Sequence, residues 1–318
     1  MKNRIDHPIK IAIVGVGNVG ATFAYALLGS SLASQIVLID ANKKRAEGEA
    51  MDLNHAMPLT HSTKIWAGDY KDCAGASITV ITAGTAQRSG ETRLDLVQRN
   101  FEIYKNIIPQ VMSANPDGML LIASNPLDVL SYAAMKLSGL PASRVIGSGT
   151  ILDTARFRYL LSQHAGVDPR SVHAYIIGEH GDSEVPVWSA ANIAGISLME
   201  YCKMNCESFD PRVYEDIFSQ TRDAAYQIIE RKGATYYGIG MGLVRICEAI
   251  LRGQNTVLSV STLIHDYYGI DDVYLSLPCV IGREGVQKFM RLPLDEKEVE
   301  GLQKSAVILK ETIHSLGL

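Results

Sequence analysis

No stretch of this 318-residue chain approaches the ~20 consecutive apolar residues that a membrane span requires. A bilayer-crossing helix is therefore not expected. Lys2 and Arg4 precede apolar residues as in a secretory leader, but Asp6, Lys10, Gly15, Gly17 and Asn18 interrupt the run too early for one. Charge of one sign is also scarce. The formal net charge is −4, with acidic and basic residues intermixed, so there is no basic stripe of the kind nucleic-acid binding needs. Cysteine is sparse and unpaired in pattern. Cys73, Cys202, Cys206, Cys247 and Cys279 are odd in number and contain no C-x-x-C spacing, which points to a reducing compartment and a cytoplasmic protein. Cys202 and Cys206 lie four apart with no histidine cluster close by in sequence, so they are expected to be helix surface or core and not zinc ligands. Internal repeats, low-complexity tracts and long linkers are absent as well. What remains is 47% hydrophobic, enough for one large core or two ordinary ones.

The apolar run Ile11-Ala12-Ile13-Val14 leads directly into Gly15-Val16-Gly17-Asn18-Val19-Gly20. A short continuous apolar run reads as a buried parallel strand, and three glycines at this spacing have separable duties. The first permits the sharp turn, the second lets backbone approach a pyrophosphate, and the third lets helix pack on sheet. A helix starting near Asn18 then aims its free N–H groups at the phosphates. Asp40 closes a second apolar run, Ile36 to Ile39, about 20 residues on, where a carboxylate accepts from an adenosine ribose and repels a 2′-phosphate. NAD is favoured over NADP. The alternative, a plain structural turn, gives Asp40 no purpose.

Further apolar runs at 78–82 and 119–123 alternate with helical spacing such as 94–111. Strands alternating with helices predict a doubly wound parallel sheet, with ligands in the crevice beyond the strands' carboxyl ends. The loops after Ile39, Thr82 and Ala123 line that crevice, and Thr82-Ala83-Gly84 joins the predicted cofactor contacts. The character changes near residue 150. Helical stretches at 152–164, 211–231 and 236–251, with strand-like runs at 256–263 and 272–281, predict an α+β second domain over 151–318 after a Rossmann domain over 1–150. A last helix opens at Asp295 with Glu298 three residues later, a capping box.

Gly178-Glu179-His180-Gly181-Asp182-Ser183 follows the strand-like run 172–177 and leaves the His180 imidazole approachable between glycines. Asp153 and Arg156 share one face of a helix, being three apart. In the functional reading Asp153 bonds the histidine, fixes its tautomer and favours its charged form, while Arg156 grips a substrate carboxylate with two parallel bonds. The same spacing also suits a surface ion pair. The polar segment from Gly84 to Arg93 suits a closing lid that excludes water and carries Arg93 to an oxygen where charge develops.

These motifs, GVGNVG, AGTAQRSGETR, SNPLD, LDTARFR and GEHGDSE, make the chain resemble the lactate/malate dehydrogenase family from end to end, and within it the bacterial L-lactate dehydrogenases. The resemblance implies that His180 exchanges the proton with Asp153 orienting it, and that Arg156 binds the carboxylate of pyruvate or L-lactate. It implies that Arg93 polarises the carbonyl and that Asn125 contacts substrate and nicotinamide. Thr235 would line the substrate pocket and Ile239 would lie against the nicotinamide. No metal is needed. The lid departs from the family pattern, with Arg88-Ser89 where Lys-Pro is usual, and losing proline loosens the backbone there. The short segment before the first strand implies a bacterial type of homotetramer.

Malate dehydrogenases share the fold and the catalytic set. Neutral Gln87, six before Arg93, suits pyruvate's methyl group, whereas a buried second carboxylate requires a cationic partner. A non-catalytic NAD-binding protein is a third reading, opposed by the retention of His180, Asp153, Arg156 and Arg93. Arg158 lies about 200° around its helix from Arg156. By resemblance, Arg158 and His173 match the fructose 1,6-bisphosphate site, to which two subunits each contribute one arginine and one histidine.

Overall fold

Alternate residues of the apolar runs bury on opposite sides of one sheet, which is why the runs are continuous and not half polar. Ile11 and Ile13 join one core cluster with Leu27, Leu38 and Val80, while Ala12 and Val14 join another with Ile39, Ile81 and Tyr104. The computed structural model describes residues 8–85, 93–206, 210 and 212–318, with Arg93 described in its backbone alone.

The first half alternates strands and helices: β1 (Lys10–Val14), α1 (Asn18–Ser30), β2 (Gln35–Ile39), α2 (Lys43–Ala56), β3 (Lys64–Ala67), β4 (Ile78–Ile81), α3 (Arg93–Ala114), β5 (Met119–Ile122), α4 (Leu127–Ser138) and β6 (Val145–Gly147). The second half adds α5 (Ile151–Ala165), short strands β7 (Val172–His173), β8 (Ile176–Ile177), β9 (Val185–Pro186), β10 (Asn192–Ile193) and β11 (Ile196–Ser197), and helices α6 (Leu198–Asn205), α7 (Arg212–Lys232) and α8 (Tyr237–Arg252). It closes with β12 (Thr256–Ile264), β13 (Val273–Gly282), β14 (Gly285–Phe289) and α9 (Glu296–Ser315).

Strands β3-β2-β1-β4-β5-β6 lie side by side and parallel, the doubly wound Rossmann order. The order reverses between β1 and β4, so the crevice opens where Val14 and Ile81 end. The hairpin strands β12, β13 and β14 extend the same sheet antiparallel from β6, through Ser261 opposite Gly147. The sheet therefore takes strands from both halves of the chain. One core cluster likewise joins Ile13 to Leu243, Val260, Leu275 and Leu302.

The single strand expected over 172–177 is two, because β7 pairs with β10 in one small sheet and β8 with β9 in another. The capping box at Asp295 is present: Asp295 accepts from the Glu298 N–H, and Glu298 accepts from the Asp295 N–H, both at 2.9 Å. Among the described residues, no helix is long and apolar enough to cross a membrane.

Candidate active site

The three glycines of the loop meet different surroundings. Gly15 has φ +97°, and a Cβ there would overlap the Ala83 nitrogen. Gly20 backs onto Gly15 so closely that a Cβ would overlap the Gly15 carbonyl oxygen. Around Gly17 nothing lies within 4 Å of an added Cβ, which leaves open space at the start of α1 where a pyrophosphate has to approach backbone. Thr82 donates its hydroxyl to the Gly15 carbonyl across the switch point. Asp40 Oδ2 accepts from Val16 N and Oδ1 from Asn42 N, both at 2.8 Å, so this carboxylate braces the loop it was expected to serve. The cradle fits a dinucleotide. Gly84 and Ala83 lie along its wall, and buried Asn100 ties that wall to the next loop by bonding Thr85 and the Asn125 carbonyl.

The catalytic side is built on α5. Asp153 is 3% exposed, and its two oxygens are divided. Oδ1 accepts from Arg156 Nη1 at 2.8 Å, and Oδ2 meets His180 Nδ1 at 2.6 Å. An ionised carboxylate only accepts, so Nδ1 carries the hydrogen and Nε2 is the nitrogen outside that bond. His180 reaches this place because Gly178, at φ +89°, exchanges backbone bonds with Ser276 at 2.9 Å each way. Its own N–H then donates to Asp128 Oδ2 at 2.8 Å, while Ser261 Oγ donates to Oδ1 at 2.6 Å.

Charge in the site is arranged around the imidazole. Burial works to lower the His180 pKa, but the Asp153 carboxylate outweighs it, helped by Asp128 and Glu184, and the result is a rise to about 9. Burial likewise works to raise the pKa of Asp153, and the charges of His180 and Arg156 overcome it and hold the carboxyl below its ordinary value. Glu184 is pushed up to about 8, first by burial and then by the nearby Asp153 charge. It is 7% exposed, and its Oε1 has no hydrogen-bond partner among the described residues.

Asn125, Asp153, Arg156, His180 and Glu184 line one cavity of 330 Å³, whose outer wall comes from Arg222, Tyr226 and Ile229 of α7. Thr235, between α7 and α8, and Ile239, in the first turn of α8, are half-buried and are not among its lining residues. Gln87, and Arg88 and Ser89 of the segment expected to form a lid, lie outside the described residues, as does the side chain of Arg93. Arg158 and His173 are not in this cavity. Arg158 Nε donates to the Ala174 carbonyl at 2.8 Å, and its guanidinium lies over the Tyr175 ring at 4.9 Å. Sequence reasoning missed the placing role of Asp128 and the presence of Glu184. Both stand inside motifs already noted, SNPLD and GEHGDSE, and the signal was a carboxylate within each motif to which no partner had been assigned.

Residues 9–147 match the lactate/malate dehydrogenase NAD binding domain, and residues 150–316 match the lactate/malate dehydrogenase alpha/beta C-terminal domain. The chain belongs to the lactate/malate dehydrogenase family and is an NAD-dependent oxidoreductase. Among its relatives, it is 52% identical over 310 residues to the L-lactate dehydrogenase of Acetivibrio thermocellus, covering 97% of this chain and 98% of that one. It is 54% identical over 303 residues to the L-lactate dehydrogenase of Priestia megaterium, covering 95% of each. A solved lactate dehydrogenase from a Medee basin deep-sea metagenome library superposes with a TM-score of 0.95 at 48% identity, covering 98% of this chain and 99% of that one.

Proposed function

We propose that this chain is an L-lactate dehydrogenase that reversibly reduces pyruvate with NADH, residues 1–150 holding the dinucleotide and residues 151–318 supplying the substrate site. The observation that carries the reading is the shared Asp153 carboxylate, which joins a cationic group for a substrate carboxylate, Arg156, to a proton carrier, His180, in one cavity. A 2-keto acid needs both at once.

Gly15, Gly17, Asn18, Val19, Gly20, Asp40, Thr82, Ala83 and Gly84 would hold the cofactor, with Asn125 and Ile239 at the nicotinamide end. When bound, NADH supplies the hydride for the carbonyl carbon. Arg156 pairs with the substrate carboxylate and fixes which carbonyl faces the cofactor. Protonated His180 gives the Nε2 proton to the carbonyl oxygen and takes it back in the reverse direction, while Asp153 steadies the imidazolium. Arg93, at the start of α3, would oppose the negative charge that develops on that oxygen. Thr235 would border the substrate from beyond the residues that line the cavity.

Neutral Gln87 supports pyruvate over oxaloacetate, since a second carboxylate facing it would lack a cation, whereas neighbouring Arg88 in that place would reverse the preference. Regulation by fructose 1,6-bisphosphate through Arg158 and His173, in a cytoplasmic homotetramer, extends the reading. It is supported by the anchoring of Arg158 to the carbonyl of Ala174, the residue after exposed His173, outside the catalytic cavity. The deciding experiment compares NADH consumption with pyruvate and with oxaloacetate at equal concentration. Pyruvate is expected to be the faster substrate. A preference for oxaloacetate would replace the reading with a malate dehydrogenase, and no consumption of either would favour a non-catalytic NAD-binding protein.

A further inference from the structure

Beyond the catalytic cavity, His164, Cys202 and Cys206 come together from two helices and a helix end. His164 is in the last turn of α5, about 16 Å along that helix from Asp153 at 1.5 Å per residue. Cys202 lies in α6, and Cys206 is the residue at which α6 ends, its N–H donating to the Cys202 carbonyl at 3.0 Å. Four-residue spacing sets both thiols on one side of the helix. The histidine that is lacking near them in sequence is supplied by the fold. One ligand atom from each of the three residues lies within 4.8 Å of the other two.

The surroundings give this group a floor and an opening. Cys202 is fully buried, whereas His164 and Cys206 are half-buried and reach the surface. The His164 ring stands edge-on to Tyr214 of α7 at 6.0 Å, Tyr214 packs against Trp188 at 5.4 Å, and Trp188 against Phe157 at 4.8 Å. An aromatic ladder therefore backs the imidazole. All five cysteines are free thiols, and Cys206 alone among them is not buried.

One imidazole and two thiols form the donor set of a borderline-soft cation, and hard cations such as Mg²⁺ or Ca²⁺ do not choose it. With Zn–S near 2.3 Å and Zn–N near 2.0–2.1 Å, tetrahedral donors sit roughly 3.4–3.8 Å apart. Closing from the present spacing asks for at most about 1.4 Å, the scale of a side-chain rotation and not of a helix shift. We propose that His164, Cys202 and Cys206 form a three-donor site for a thiophilic divalent cation of the Zn²⁺ class, with the fourth position open to water. Binding displaces the two thiol protons to solvent and involves no change of oxidation state.

The site joins the far end of the helix that bears Asp153 and Arg156 to α6, beside the α7 residue Tyr214. The same α7 carries the cavity wall residues Arg222, Tyr226 and Ile229. Its role is thus to fasten the support of that wall, away from the chemistry.

The test uses the full-length protein, reduced and stripped with chelator, titrated with Cd²⁺ and then challenged with Zn²⁺. The expected result is one Cd²⁺ per chain with a cadmium–thiolate ultraviolet band that Zn²⁺ removes, protection of Cys206 from alkylation, and a rise in Tm. Cys206→Ser and His164→Gln should each weaken Cd²⁺ binding at least about tenfold while keeping the metal-free Tm and NADH consumption of the parent. The alkylation readout needs no variant, so a folding defect in either leaves the proposal open to refutation. No thiolate band, equal affinity in parent and variants, unprotected Cys206, or a Cys202–Cys206 disulfide that persists in reductant would each overturn it.

Discussion

Asp128 and His180 are 52 residues apart, yet the Asp128 carboxylate accepts the backbone N–H of His180 at 2.8 Å, so one buried acid on α4 sets the position of the imidazole. Its other oxygen is held by Ser261 of β12. The acid thus stands between the parallel part of the sheet and the hairpin strands.

Removing that acid should be felt at His180 before it is felt elsewhere. Asp128→Ala leaves a buried N–H and a buried hydroxyl without acceptors, which costs on the order of 1–3 kcal/mol each. It should lower both Tm and kcat. Asp128→Asn keeps an acceptor but removes a charge that supports the imidazolium, so its kcat/KM profile for pyruvate should move to lower pH with a smaller loss of Tm. Matching pH profiles for Asp128→Asn and the parent would contradict the assignment.

The pH dependence has opposite signs in the two directions. Pyruvate reduction needs His180 charged, and with its pKa raised to about 9 the kcat/KM for pyruvate should fall as pH rises through that value. Glu184, raised to about 8, ionises slightly earlier and sets a second negative charge in the cavity that repels the substrate carboxylate. Lactate oxidation needs neutral His180 and should rise over the same range. Stability follows the same linkage. A folded pKa of about 9 against an ordinary value of 6.5 makes the His180 contribution complete below 6.5 and lost as pH rises through 9. The depressed Asp153 contributes above its ordinary value and loses that contribution in acid. Initial rates in both directions, and Tm across pH, check these signs.

The glycines of the loop should separate binding from folding. Gly17→Ala places its Cβ in open space, so Tm should hold while NADH affinity falls. Gly20→Ala drives its Cβ into the Gly15 carbonyl and should lower Tm markedly. Fluorescence titration with NADH, beside thermal unfolding of each variant, distinguishes the two. Equal behaviour would mean that the loop is only a structural turn.

How far the sequence foretold this arrangement depended on whether the signal was local. The loop 15–20 was legible because turn, backbone approach and helix packing each restrict a position to glycine. The runs that became β1, β2, β4 and β5 were legible because burial on both faces of the sheet leaves a nearly continuous apolar stretch. Asp153 and Arg156 shared a face by spacing alone. Chain-distant relations were not legible: no local pattern carries Asp128 to the His180 amide, or His164 to Cys202. The short β7 and β8 read as one strand because the two-residue break between them, at Ala174 and Tyr175, is itself apolar and buried or half-buried.

Effector regulation makes a separate prediction at Arg158. Fructose 1,6-bisphosphate should lower the apparent KM for pyruvate, with coupling of typically 1–3 kcal/mol, if it binds the active arrangement more tightly. Arg158→Gln should abolish that response and leave NADH binding alone, since Arg158 is outside the catalytic cavity. An unresponsive parent, or a fully responsive variant, would remove the site from the account.

The most direct measurement concerns His180 itself. His180→Asn removes the proton carrier and leaves the glycine cradle untouched, so turnover with pyruvate should fall by roughly 10²–10⁴-fold or more while NADH affinity stays close to that of the parent. A variant that binds NADH normally and still reduces pyruvate at the parent rate would contradict the central claim that His180, steadied by Asp153, moves the proton.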